Sequence, residues 1–142
     1  MTTVLKEKLW AYIVQNNPDV MLHLQEEHAV AGYLQEKVNS VVPMAEQLLA
    51  EGNPLYIIEE LCLNTMTEDL QPSKYNYIRS VLEDEFNRDY ERMKENGTLT
   101  YEIINLMEAC KNIFHDFDFS QENEDDRYLR YAITGQVQAY LA

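Results

Sequence analysis

The sequence predicts an all-α fold, a multihelical bundle of five or six helices forming one domain over residues 1–142. Three observations carry this expectation. Apolar residues recur at helical spacing in nearly every window. Strand-type alternation never persists beyond a few residues. Start and stop residues punctuate the chain at short intervals, as they do between the helices of a bundle. Apolar residues make up 46% of the chain and charged residues 25%, a globular composition without a disordered half. A domain of this length buries roughly 70% of the surface its unfolded chain exposes.

The first stripe is Leu5, Leu9, Tyr12 and Ile13, ended by Asn16-Asn17-Pro18. Leu34, Val38, Val41, Ala45 and Leu48 step by alternate fours and threes, the seam of a helix against its neighbours. Pro43 lies inside that seam and removes one backbone donor, so a kink or restart is expected near Ser40. Gly52-Asn53-Pro54 closes the segment, with Asn53 expected as the next N-cap and Pro54 as the first helical residue. Leu55, Ile58, Cys62 and Met66 are expected to face the core. Ser73 is expected to cap a helix carrying Tyr75, Ile78, Leu82, Phe86 and Met93, which stops at Asn96-Gly97. Thr98 or Thr100 opens a helix with Ile103, Met107, Cys110, Phe114 and Phe117. Tyr128, Leu129, Ile133, Val137 and Tyr140 make the final stripe. No repeat of fixed period and no low-complexity linker is visible.

Acidic residues outnumber basic ones 25 to 11, giving a net charge of −14. The excess is spread along the chain: −3 over residues 1–50, −6 over 51–100 and −5 over 101–142. Such a surface repels phosphate backbones and anionic membranes, so direct nucleic-acid or membrane binding is not expected. The charge either keeps the protein soluble or faces a basic protein partner. The N-terminus carries Lys6, Glu7 and Lys8 where a signal peptide needs an apolar core, and no stretch reaches the roughly 20 apolar residues of a membrane span. A cytoplasmic location is expected. Cys62 and Cys110 lie in apolar segments, where reduced core thiols are expected.

The sharpest chemical lead is FHDFDFSQENEDDR, Phe114 to Arg127, which has the oxygen density of a calcium loop. An EF-hand loop needs side-chain oxygens at its first, third and fifth positions, Gly at the sixth and a bidentate Glu at the twelfth. Counting from Asp116 places Asp118 and Ser120 correctly, but Gln121 takes the glycine position and Arg127 the twelfth. Counting from Asp118 fails as well. The stretch reads instead as a helix start, with Ser120 or Asn123 as cap and Glu122, Glu124, Asp125 and Asp126 in a first turn that favours negative charge.

No other short motif gives chemistry. His23 and Glu27 share a helical face, yet nothing in the sequence brings a third ligand such as His115 to them, so no metal site is assigned. Glu59-Glu60 and Glu83-Asp84-Glu85 are adjacent helical residues pointing in different directions. Ser40, Ser73, Ser80 and Ser120 lie outside any nucleophile elbow, and Gly32, Gly52, Gly97 and Gly135 are too isolated for a phosphate loop. No catalytic residue and no cofactor is assigned. Ten tyrosines are a high count for this length, and tyrosine suits interfaces because its ring buries while its hydroxyl stays wet. Tyr75, Tyr77, Tyr128 and Tyr131 are the candidate interface residues, although core margins use tyrosine in the same way.

The segment LQPSKYNYIRSVLEDEF, Leu70 to Phe86, resembles a family of small, acidic, uncharacterised helical proteins of Bacteroidetes-type bacteria, known as a domain of unknown function. Ser73-Lys74-Tyr75 and the apolar helix ending at Glu85-Phe86 carry the pattern. The Asn17-Pro18 break and the Gly52-Asn53-Pro54 turn agree with it. The resemblance implies an all-helical bundle and no reaction, cofactor or catalytic residue. Pro43 departs from the family's smoother long helix.

The leading functional expectation is a non-catalytic protein–protein interaction or regulatory module, whose partner is another protein or a second copy in a homodimer. A second is an acidic DNA mimic that inhibits a nucleic-acid-binding protein. A third is an enzyme whose site, built around His23, His28 or His115 with distant carboxylates, is invisible in sequence.

Overall fold

The computed structural model describes all 142 residues. It is all-helical, as expected, but holds nine α-helices rather than five or six. They are α1 (Thr2–Asn16), α2 (Pro18–Glu26), α3 (Val30–Ala50), α4 (Leu55–Met66), α5 (Lys74–Glu85), α6 (Asn87–Glu95), α7 (Leu99–Ala109), α8 (Lys111–Asp116) and α9 (Arg127–Leu141), with a 3-10 turn at Glu68–Leu70. The backbone forms two compact units, Met1–Gln71 and Pro72–Ala142.

The higher count comes from α2, a separate helix starting at Pro18, and from two breaks that carry no proline or glycine. Phe86 leaves helical geometry (φ −136°, ψ 49°) and divides what reads as one helix into α5 and α6. Cys110 does the same between α7 and α8 (φ −99°, ψ 2°). Pro43 has no such effect: α3 runs through it as one helix, so the expected restart does not occur. Asn53 does not cap α4 either. Its side chain donates to the Leu48 carbonyl (3.0 Å) and closes α3, while Pro54 takes the N-cap position.

In the first unit Leu5, Leu9 and Ile13 of α1 meet Val38, Val41 and Ala45 of α3 and Ile58, Cys62 and Met66 of α4. In the second, Tyr75, Ile78, Val81 and Leu82 of α5 meet Ile103 and Leu106 of α7, Cys110, Phe114 of α8, and Leu129, Ile133 and Val137 of α9. Each such aliphatic side chain contributes about 1.5–3 kcal/mol through burial. Leu55, expected in the core, is 57% exposed, because α4 begins there and its inward stripe starts at Ile58.

The two units follow one backbone plan. At the end of α1 the Asn17 N–H donates to Ile13 O (2.8 Å), and at the end of α5 Phe86 donates to Leu82 O (2.9 Å). Asn17 and Phe86 share φ −136°, and α2 and α6 are both 9 residues long. Both helices then end in a Schellman turn. His28 donates to Gln25 O (3.2 Å) and Ala29 to Leu24 O (2.9 Å), while Gly97 donates to Lys94 O (3.2 Å) and Thr98 to Met93 O (2.9 Å). A second matched pair closes α3 and α8, where Asn53 donates to Leu48 O (3.1 Å) and Phe119 to Phe114 O (3.0 Å). The core positions correspond too: Leu9 with Ile78, Ile13 with Leu82, Leu24 with Met93. A repeat is therefore present that the sequence conceals, because the paired residues share character rather than identity.

Each unit builds one of its two turns with glycine and the other without. Gly52 and Gly97 take positive φ (84° and 71°), and so do His28 and Asp118 (both 53°). A left-handed residue other than glycine costs about 1–2 kcal/mol, offset in part by the freer unfolded glycine chain. His28→Gly is expected to raise stability by about 0.5–1 kcal/mol, read from the urea midpoint.

Both thiols are free and fully buried, and burial pushes the Cys110 thiol up to about 11. The folded state thus holds this proton more tightly than the unfolded chain. The resulting stability is fully present below the unfolded value of 9.0 and is lost as pH climbs through about 11. Unfolding free energies from urea melts on either side of that window are expected to differ by about 1–2 kcal/mol after solvent screening, a difference that Cys110→Ala reduces.

Candidate interaction surface

The joint between the third helical segment and the last helix separates the two units most clearly. In the first unit four residues, 51–54, connect α3 to α4. In the second, ten residues, 117–126, connect α8 to α9. The extra length holds the acidic run singled out in the sequence. It lies before α9 rather than in its first turn, since α9 begins at Arg127.

The loop is braced by Asn123. Its Nδ2 donates to the carbonyls of Phe117 (2.6 Å) and Asp118 (3.1 Å), and its Oδ1 accepts from the Ser120 N–H (2.8 Å). Asn123 therefore holds the loop and does not cap the helix. The cap is Asp126, whose carboxylate accepts from the N–H groups of Tyr128 (2.7 Å) and Leu129 (3.4 Å). Ser120, the other expected cap, lies too early in the chain and is bonded within the loop. Asp126→Ala is expected to cost about 1 kcal/mol in urea unfolding and to fray the first turn of α9.

Behind the loop α9 is fastened to α5. Arg130 donates to the Ser80 hydroxyl (2.8 Å), to its carbonyl (3.3 Å) and to the Asp84 carboxylate (2.9 Å), and its guanidinium lies 5.8 Å from the Tyr77 ring centre. Tyr77 packs edge-on to Phe114 (5.7 Å) and Phe119 (5.3 Å). Burial pushes its hydroxyl pKa upward, and the Arg130 charge pulls the other way. Sequence reasoning missed Arg130, because nothing local indicates a partner on another helix.

The four candidate tyrosines separate here. Tyr75 is 5% exposed and bonds to Thr100 (3.3 Å), a core residue of α5. Tyr77 is half-buried in the aromatic cluster. Tyr128 and Tyr131 are 60% and 66% exposed, one helical turn apart, their rings in a T-shaped pair at 6.3 Å. Leu129 and Ile133, their near neighbours, face inward and are fully buried. The outward face of early α9 is therefore aromatic, and exposed Glu122, Glu124 and Asp125 precede it.

The remaining candidates lie elsewhere. His23, Glu27 and His28 are exposed around the end of α2, and His115 is exposed on α8. No group of three or more His, Cys, Asp or Glu residues is arranged to hold a metal ion. Asp116, the last residue of α8, and Asp118, in the connection that follows, are exposed. No helix is long and apolar enough to cross a membrane.

A family model described as "Domain of unknown function (DUF1896)" matches residues 5–142. The chain belongs to this family. That description agrees with the resemblance seen in the sequence, which implied a domain without an assigned activity. No curated protein and no solved structure matches the chain.

Proposed function

We propose that this DUF1896 chain is a non-catalytic interaction module that docks a protein partner on the outward face of early α9. The observation that carries the reading is the pair Tyr128 and Tyr131, both mostly exposed on a helix whose opposite face is fully buried. Large rings held on a rigid helix lose little rotamer freedom on binding and bring much contact area, which is why tyrosine is favoured at interfaces. A tagged protein used for capture from host lysate is expected to retain a partner that Tyr128→Ala/Tyr131→Ala fails to retain. Turnover of a substrate in a broad hydrolase and phosphatase screen, lost on replacing His23, His28 or His115, would overturn the reading.

A second reading, the acidic DNA mimic, draws on the first unit. Residues 1–71 hold eleven acidic and three basic residues, and all three lysines are engaged. Lys8 pairs with Glu59 (3.4 Å), Lys37 with Asp69 (2.8 Å), and Lys6 donates to Gln35 (2.6 Å). Such a field would attract the basic groove of a nucleic-acid-binding protein. Substitution separates the two: a mimic's partner is lost on neutralising carboxylates of the first unit, and one seated on the tyrosines is lost in Tyr128→Ala/Tyr131→Ala.

A further inference from the structure

We infer that the segment docking on early α9 is arginine-rich, with Tyr131 receiving a guanidinium group as Tyr128 receives Arg127 and with Glu122, Glu124 and Asp125 pairing with its charges; this rests on the interaction reading above. Three observations lead there. The first is the loop itself. The shared backbone plan closes this joint with four residues in the first unit, so the ten used in the second exceed what the fold requires. Loops lengthened in one copy of a repeat commonly carry its binding function.

The second is charge. Glu122, Glu124 and Asp125 are exposed and make no ion pair, which Glu83, Glu85, Glu91 and Glu95 of the same unit share, but these three lie within four consecutive residues just before the exposed Tyr128. The third is a guanidinium already in place. Arg127 lies 5.1 Å from the centre of the Tyr128 ring and donates to its hydroxyl (3.2 Å). The chain's own arginine thus shows the cation–ring contact that Tyr131, over which no cation lies, offers to an incoming one. A second copy of the chain, itself at −14, is a poor match for this face.

The test is titration of the full-length isotope-labelled protein with a hexa-arginine peptide, followed by amide shifts. The largest shifts are expected within residues 121–131, with hexa-lysine binding more weakly because an ammonium stacks less well than a planar guanidinium. Tyr131→Ala, which keeps every charge, is expected to weaken binding about two- to fivefold. Glu122→Gln/Glu124→Gln/Asp125→Asn is expected to weaken it about five- to tenfold at low salt. Neutralising the exposed Glu26, Glu27 and Glu36 instead is expected to change it less than twofold. None of these side chains is buried, so amide spectra report directly that each variant is folded.

Equal losses from the two neutralised triples, or no loss in Tyr131→Ala, would reduce the binding to general attraction by a polyanion and overturn the inference. So would sedimentation that rises with concentration in the wild type and not in Tyr131→Ala, which would seat a second copy here. Those failures leave the interaction module standing. Only substrate turnover, or capture unaffected by the double tyrosine variant, removes that.

Discussion

Phe114→Ala is expected to destabilise the protein by about 3–5 kcal/mol, the range for removing a buried aromatic ring. Phe114 is 1% exposed, lies edge-on to Tyr77 and is tilted against Phe119 at 4.8 Å. Its ring therefore supports both the core and the start of the long loop. Urea unfolding checks the magnitude. A value under about 1 kcal/mol would mean that the ring is not packed as described.

The second large effect tests the shared backbone plan. Leu9 and Ile78 occupy corresponding places on α1 and α5, and both are fully buried. Leu9→Ala and Ile78→Ala are each expected to cost about 2–5 kcal/mol. Similar costs follow if the two sites are equivalent in packing. A neutral result at either would show that its unit lacks the core assigned to it.

Much of the fold was legible because its punctuation is chemical. Ser73 caps α5 by accepting from the Asn76 N–H at 3.0 Å, the Asn16-Asn17-Pro18 stretch ends α1, and Gly97 ends α6 in the left-handed conformation. The missed boundaries lack such residues. Phe86 and Cys110 leave helical geometry with no proline or glycine to mark the break, and His28 adopts a glycine-like angle without being glycine. The repeat was hidden for the same reason, since Asn17 and Phe86, or His28 and Gly97, share a conformation and no chemistry.

The candidate surface was half legible. The tyrosine count and the acidic run were plain, yet Tyr75 and Tyr128 look alike in a sequence and lie at opposite extremes of burial. Only the placement of Leu129 and Ile133 inward tells which ring of α9 faces out. The length of the 117–126 connection carries meaning only beside the four-residue joint of the other unit.

The most direct measurement of the central claim is photo-crosslinking in the native host, with a photoreactive phenylalanine analogue at position 131 and, separately, at the exposed Glu36 of α3. A discrete heavier adduct at 131 and none at 36 is the predicted result. Adducts at 36 alone, or equally at both, would contradict a docking face on early α9.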